Sequence, residues 1–127
     1  MRIEHIAIYT ADMERMREFY EKYFGGTSNA MYHNPRTGLR TYFLTFEDGA
    51  RLELMTRPEL EDPEKRELRT GFTHLSFSVE SKEKVDELTA SLKQEGYPVL
   101  SGPRTTGDGY YESCIRDPEG NLVEITV

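Results

Sequence analysis

Apolar and polar positions alternate along this chain in two similar rounds. Residues 2–9 place Ile3, His5, Ala7 and Tyr9 on one face and Ile6 and Ile8 on the other, which predicts a strand. Asp12 is suited to cap a helix over about 12–24, where Met13, Met16, Tyr20, Tyr23 and Phe24 recur at helical spacing until Gly25-Gly26 ends it. Strand-like runs follow around 29–33, 39–46 and 50–56, with the turn Glu47-Asp48-Gly49 between the last two. The second round opens with a strand over 72–79. Ser81 then caps a helix with a Val85, Leu88 and Leu92 stripe, closed by Gly96 before Pro98. Strands are expected near 98–100, 110–116 and 121–127, the last two joined by the turn Asp117-Pro118-Glu119-Gly120. Each half therefore reads βαβββ, which makes the class α+β rather than doubly wound α/β. One domain over 1–127 is expected, with modules at about 1–56 and 72–127 and an acidic connection at 57–71.

The repeat extends to individual residues. Ile3-Glu4-His5-Ile6-Ala7-Ile8-Tyr9 reads again as Phe72-Thr73-His74-Leu75-Ser76-Phe77-Ser78. Arg51-Leu52-Glu53-Leu54 reads again as Leu122-Val123-Glu124-Ile125. Two imidazoles and two carboxylates, His5, Glu53, His74 and Glu124, form a ligand set suited to one divalent metal. Strand parity puts Leu52 and Leu54, like Val123 and Ile125, on the face opposite the Glu, where they can pack under the helices. The four residues are then left on the other face of a curved sheet. They converge if the two halves form one pocket, within one chain or across a dimer.

A lone strand His is more often a hydrogen-bonded structural residue than a ligand, and a strand Glu usually faces solvent. Repetition changes that balance, because a carboxylate between apolar neighbours is costly unless paired or bound to metal. The competing reading is that His and Glu pair with each other as a salt-bridged relic of duplication. His33 has no counterpart in the repeat and sits in a His-Asn-Pro loop, so it is expected at the surface.

The chain has 127 residues, 36% hydrophobic and 31% charged, as expected of a soluble globular protein. A net charge of −7 argues against nucleic acid, and no run approaches the length of a membrane span. The one cysteine, Cys114, cannot form an internal disulfide, so cytoplasm is the default location. The acidic excess around Glu59, Glu61, Asp62 and Glu64 reads as a solvated connection.

These residues carry a family resemblance. The chain resembles the vicinal oxygen chelate superfamily, above all its glyoxalase I (lactoylglutathione lyase) branch. The likeness runs nearly end to end: the His5 strand, the helix end Phe19-Tyr20-Glu21-Lys22-Tyr23-Phe24-Gly25-Gly26, Leu52-Glu53-Leu54, Thr73-His74-Leu75-Ser76, and Asp117-Pro118-Glu119-Gly120 with Glu124 beyond it. The resemblance implies paired βαβββ modules forming a cup-shaped mixed sheet, commonly in a homodimer. It places His5, Glu53, His74 and Glu124 on the four metal-ligand positions, with nickel, cobalt or zinc as the ion. Glu124 falls on the position of the catalytic base, and Glu53 is able to share that role. No separate cofactor-binding residue is implied. The implied substrate is a small molecule, a hemithioacetal of an α-oxoaldehyde such as methylglyoxal, converted through an enediolate to a 2-hydroxyacyl thioester.

Departures bear on the substrate. Relatives that use glutathione carry Arg where Tyr9 stands, and an Asn soon after the Glu53 position; here that stretch is Met55-Thr56-Arg57-Pro58. Another thiol is therefore open. Arg40, Arg51 and Arg104 are candidates for a substrate carboxylate, or plain surface cations. Tyr42, Tyr110 and Tyr111 are candidates for the pocket wall or for half-buried packing. The rival chemistries are an epimerase, which usually has Gln at the Glu53 position, and a fosfomycin-type thiol transferase, which uses three ligands. A drug-binding protein without chemistry is the rival outside enzymology.

Overall fold

The computed structural model describes residues 1–47, 49–65 and 68–127; Asp48 of the first expected turn and Arg66 and Glu67 of the connection lie outside the described residues. The chain divides into two compact units, Met1–Pro63 and Glu64–Val127.

In the first unit β1 (His5–Tyr9) leads to α1 (Met13–Phe24), then to β2 (Thr27–Ser28), β3 (Tyr32–His33), β4 (Arg40–Thr45) and β5 (Arg51–Thr56). The Asp12 side chain accepts from the Arg15 amide at 3.1 Å, as expected of an N-cap, and Gly25 takes the left-handed conformation that closes α1. The sheet runs β1-β5-β4-β2, with β3 also paired to β4. Here the structure departs from the simple pattern: the run expected at 29–33 is two short strands either side of residues 29–31. Asn29 explains the break, since its side chain accepts from the Phe43 amide at 2.8 Å in place of a regular ladder.

The second unit places β6 (His74–Ser78), α2 (Lys82–Gln94), β7 (Val99–Thr105), β8 (Tyr111–Arg116) and β9 (Leu122–Thr126) in the order β6-β9-β8-β7. Ser81 caps α2 by accepting from the Lys84 amide. The turn before β9 is built on Asp117, which is buried and accepts from the amides of Glu119 and Asn121. β7 runs well past the 98–100 expected for it. Ser101-Gly102-Pro103 looks like a stop, yet the strand continues through a register irregularity at Gly102, whose φ is 79°. A Cβ on Gly102 would lie 2.4 Å from the Glu112 carbonyl oxygen, so only glycine lets β7 and β8 approach there.

In both units the first strand is parallel to the last and the remaining pairs are antiparallel. Each sheet is thus mixed, with one long helix on one face, an α+β architecture. Helix α1 packs on β4 and β5, over Leu44, Leu52 and Leu54, while α2 packs on β8 and β9, over Ile115, Val123 and Ile125. All six of those side chains are buried. No helix among the described residues is long and apolar enough to cross a membrane.

The two cores predict matched sensitivities. Leu54→Ala and Ile125→Ala each remove a fully buried side chain beneath a helix and should cost about 2–5 kcal/mol. Urea unfolding of each variant checks this, and a loss below about 1 kcal/mol would show that these strands do not anchor their helices.

Candidate functional site

With one face of each sheet under a helix, the residues of opposite parity occupy the other face. In the first unit this face carries His5 and Ala7 on β1, Arg51, Glu53 and Met55 on β5, and Thr41 and Phe43 on β4. The parallel register pairs Ala7 with Glu53, two residues beyond His5, so the imidazole and the carboxylate share one side. His5 Nε2 stands 3.7 Å from Glu53 Oε2. In the second unit the register pairs Ser76 with Glu124, again two residues beyond the His, and His74 Nε2 stands 3.6 Å from Glu124 Oε2. Both imidazoles are 41% exposed, whereas the carboxylates are mostly covered, at 13% for Glu53 and 20% for Glu124.

The other ring nitrogen of each His is engaged. His5 Nδ1 is held by the Glu4 carboxylate, and His74 Nδ1 by the Thr73 hydroxyl at 3.0 Å. That leaves Nε2 facing the Glu in both halves. The gaps of 3.6 and 3.7 Å exceed a hydrogen bond, so His and Glu do not satisfy each other as a closed pair would. Two donors sharing one ion at bond lengths of 2.0–2.2 Å stand about 3 to 3.5 Å apart, so closing each gap needs only a few tenths of an ångström. The donor set therefore fits a divalent metal. Among the described residues, no group of three or more His, Cys, Asp or Glu side chains that could hold a metal ion is present.

The surroundings of the two carboxylates differ. Phe43 lies directly across from Glu53, with its ring edge-on to His5 at 5.5 Å and the Arg51 guanidinium over it at 4.3 Å. Cys114 lies across from Glu124, whose Oε1 accepts from the Ser76 hydroxyl at 2.8 Å. Glu112, two residues before Cys114 on the same face, completes a second carboxylate beside Glu124. Its carboxyl is pushed above the ordinary carboxylate range, first by burial and then by the Glu124 charge, while Arg104 at 3.7 Å pulls the other way.

Of the cations named from the sequence, Arg51 and Arg104 share a face with a His–Glu pair, and Arg40 does not. The Tyr42 hydroxyl donates to Glu14 on α1 at 2.6 Å and that of Tyr111 to Asp86 on α2 at 2.7 Å, so both turn toward the helices and away from the pairs. Tyr110 and His33 are exposed. Glu4, Ser76, Thr73 and Glu112 were not singled out from the sequence. For Glu112 a signal exists: it alternates with the core residues Ser113 and Ile115, and so belongs on the face of Glu124.

The family model of the Glyoxalase/Bleomycin resistance protein/Dioxygenase superfamily matches residues 2–125. The chain belongs to that superfamily. It is 31% identical to the uncharacterized protein YqjT of Bacillus subtilis, over 97% of this chain and 96% of that one. The metallothiol transferase FosB of Shouchella clausii is 27% identical, over 97% of this chain and 77% of its own. Among solved structures, a possible glyoxalase from Bacillus cereus superposes with a TM-score of 0.71 at 29% identity, covering 100% of this chain and 99% of that one. The α+β fold of this superfamily, with two mixed sheets, is thus the one observed.

The raised carboxyl of Glu112 sets a pH dependence. Because the fold favours its protonated form, ionised Glu112 costs stability, and the cost is absent well below the ordinary carboxylate range and grows as pH rises through and above it. Glu112→Gln should therefore raise the unfolding midpoint of the metal-free protein at pH 7–8, with the gain vanishing near pH 4. Melting curves across that range check it; a gain that is constant with pH would contradict the assigned cause.

Proposed function

We propose that this chain is a metal-dependent lyase of the glyoxalase I type, converting the hemithioacetal of an α-oxoaldehyde and a thiol into a 2-hydroxyacyl thioester. The observation that carries this reading is the twofold occurrence of one His–Glu pair, each set by the same parallel register and each with Nε2 facing the carboxylate. His5, Glu53, His74 and Glu124 would hold a single divalent ion (nickel, cobalt or zinc), and a homodimer is the expected assembly. When bound, the ion would supply a Lewis acid that polarises adjacent substrate oxygens.

The protein's own part is proton transfer. Glu124 takes the proton from the carbon bearing sulfur and returns it to the neighbouring carbon, so the reaction is an isomerisation with no net gain or loss of atoms or electrons. The Ser76 hydroxyl on Oε1 fixes the Glu124 carboxylate in the plane that leaves Oε2 directed toward His74. Glu53 lies across from Phe43 and, among the described residues, has no comparable hydroxyl contact on its carboxylate; its neighbour across the sheet is an aromatic ring. Glu124 is therefore the better assignment for the base, with Glu53 in the lesser role.

The similarity to a metallothiol transferase favours one second reading, transfer of a thiol to an epoxide such as fosfomycin. The two reactions separate cleanly in assay, since one isomerises a preformed adduct and the other forms a new C–S bond.

Glu124→Gln should lower thioester formation from methylglyoxal and thiol by about two or more orders of magnitude, the loss expected for a general base. Near-normal turnover in that variant would sink the assignment. His5→Ala and His74→Ala should each cut metal occupancy, which elemental analysis reads directly; full occupancy in either would remove that residue from the ligand set.

A further inference from the structure

The two candidate ligand histidines are not held alike. Glu4 precedes His5, and its backbone carbonyl accepts from the Arg51 amide at 2.9 Å, which ties the residue to β5 before β1 begins. Its carboxylate then divides between two partners: Oε2 is on His5 Nδ1, and Oε1 pairs with Arg51 Nη2 at 2.5 Å. Arg51 in turn covers Phe43, and Phe43 meets the His5 ring edge-on. Three side chains, Glu4, Arg51 and Phe43, thus close a circuit with the imidazole, touching it from its Nδ1 edge and from its side. In the second unit the corresponding partner is the neutral Thr73 hydroxyl, and Leu122 occupies the place of Arg51.

We propose that Glu4 is a positioning residue for His5: it fixes the ring as the Nδ1–H tautomer, points Nε2 toward Glu53, and makes His5 the more electron-rich of the two histidines. This rests on the reading of His5 as a metal ligand. A hydrogen bond from Nδ1–H leaves the Nε2 lone pair as the only one available, and a carboxylate acceptor raises its donor strength more than a hydroxyl does. Arg51 serves the same end at one remove, since it holds Glu4 rather than His5. The consequence is an unequal pair: loss of the Nδ1 partner should be felt strongly at His5 and weakly at His74.

The test uses the full chain with Glu4→Ala, Glu4→Gln and Thr73→Val. Long-range 1H–15N correlation spectra of the metal-free proteins at pH 8.5 report which ring nitrogen of each His carries the proton, and competition titration with Ni(II) or Zn(II) reports affinity. The proposal expects a single Nδ1–H tautomer for His5 in the wild type and a mixed or Nε2–H ring in Glu4→Ala, with metal affinity about 10- to 100-fold weaker. Glu4→Gln retains an oxygen acceptor and should keep the tautomer while recovering part of the affinity. Thr73→Val should weaken binding by less than Glu4→Ala does. A His5 ring unchanged in Glu4→Ala overturns the proposal whatever the metal affinity. A wild-type chain that binds neither ion, with a His5 tautomer that does respond to Glu4, overturns the ligand reading instead.

Discussion

In each unit the first strand lies parallel to the last, a pairing that no tight hairpin can make and that needs a crossover between them. The helix and the intervening antiparallel strands supply that crossover, and the helix must then cover one face of the sheet to bury its apolar stripe. Register does the remaining work. A His at the start of the first strand and a Glu in the middle of the last come to the same side only because the strands are offset by two residues, an even number. A slip of one residue would send the Glu under the helix and Leu52 or Val123 into the open. The buried leucines, valine and isoleucine thus hold the carboxylates in place as firmly as any polar contact.

Much of this was legible in the sequence, because the burial pattern and the strand period agree. Asp12 and Ser81 marked both helix starts, Gly25 and Gly96 both ends, and the alternation in Arg51-Leu52-Glu53-Leu54 and Leu122-Val123-Glu124-Ile125 assigned the faces. What escaped was governed by contacts remote in sequence. The side chain of Asn29 splits one expected strand by bonding to Phe43, and Gly102 lets β7 run on where Gly-Pro reads as a break. The extension of β7 is what brings Arg104, a candidate from the sequence, opposite Glu112, a pairing that the shorter expected strand did not include. For Tyr42 and Tyr111 the sequence leaves both a wall position and half-buried packing open, and parity decides for packing: they alternate with the residues of the other face and bond to the helices.

The two halves repeat their donors but not their surroundings. Glu53 is flanked by an aromatic ring and a guanidinium, Glu124 by a hydroxyl, a thiol-bearing residue and a second carboxyl. His5 is backed by a charged residue and His74 by a neutral one. The two units thus repeat one His–Glu pair in different surroundings, and under the proposed function that difference separates a carboxylate acting as base from one acting chiefly as ligand.

The central claim is that the two His–Glu pairs serve one ion between them. The most direct test is metal content of the purified protein by elemental analysis, normalised to chain concentration. One nickel, cobalt or zinc ion per chain is the predicted result. Two ions per chain would mean that each pair works alone, and none after growth and purification with these metals supplied would mean that the pairs are structural; either result contradicts the account.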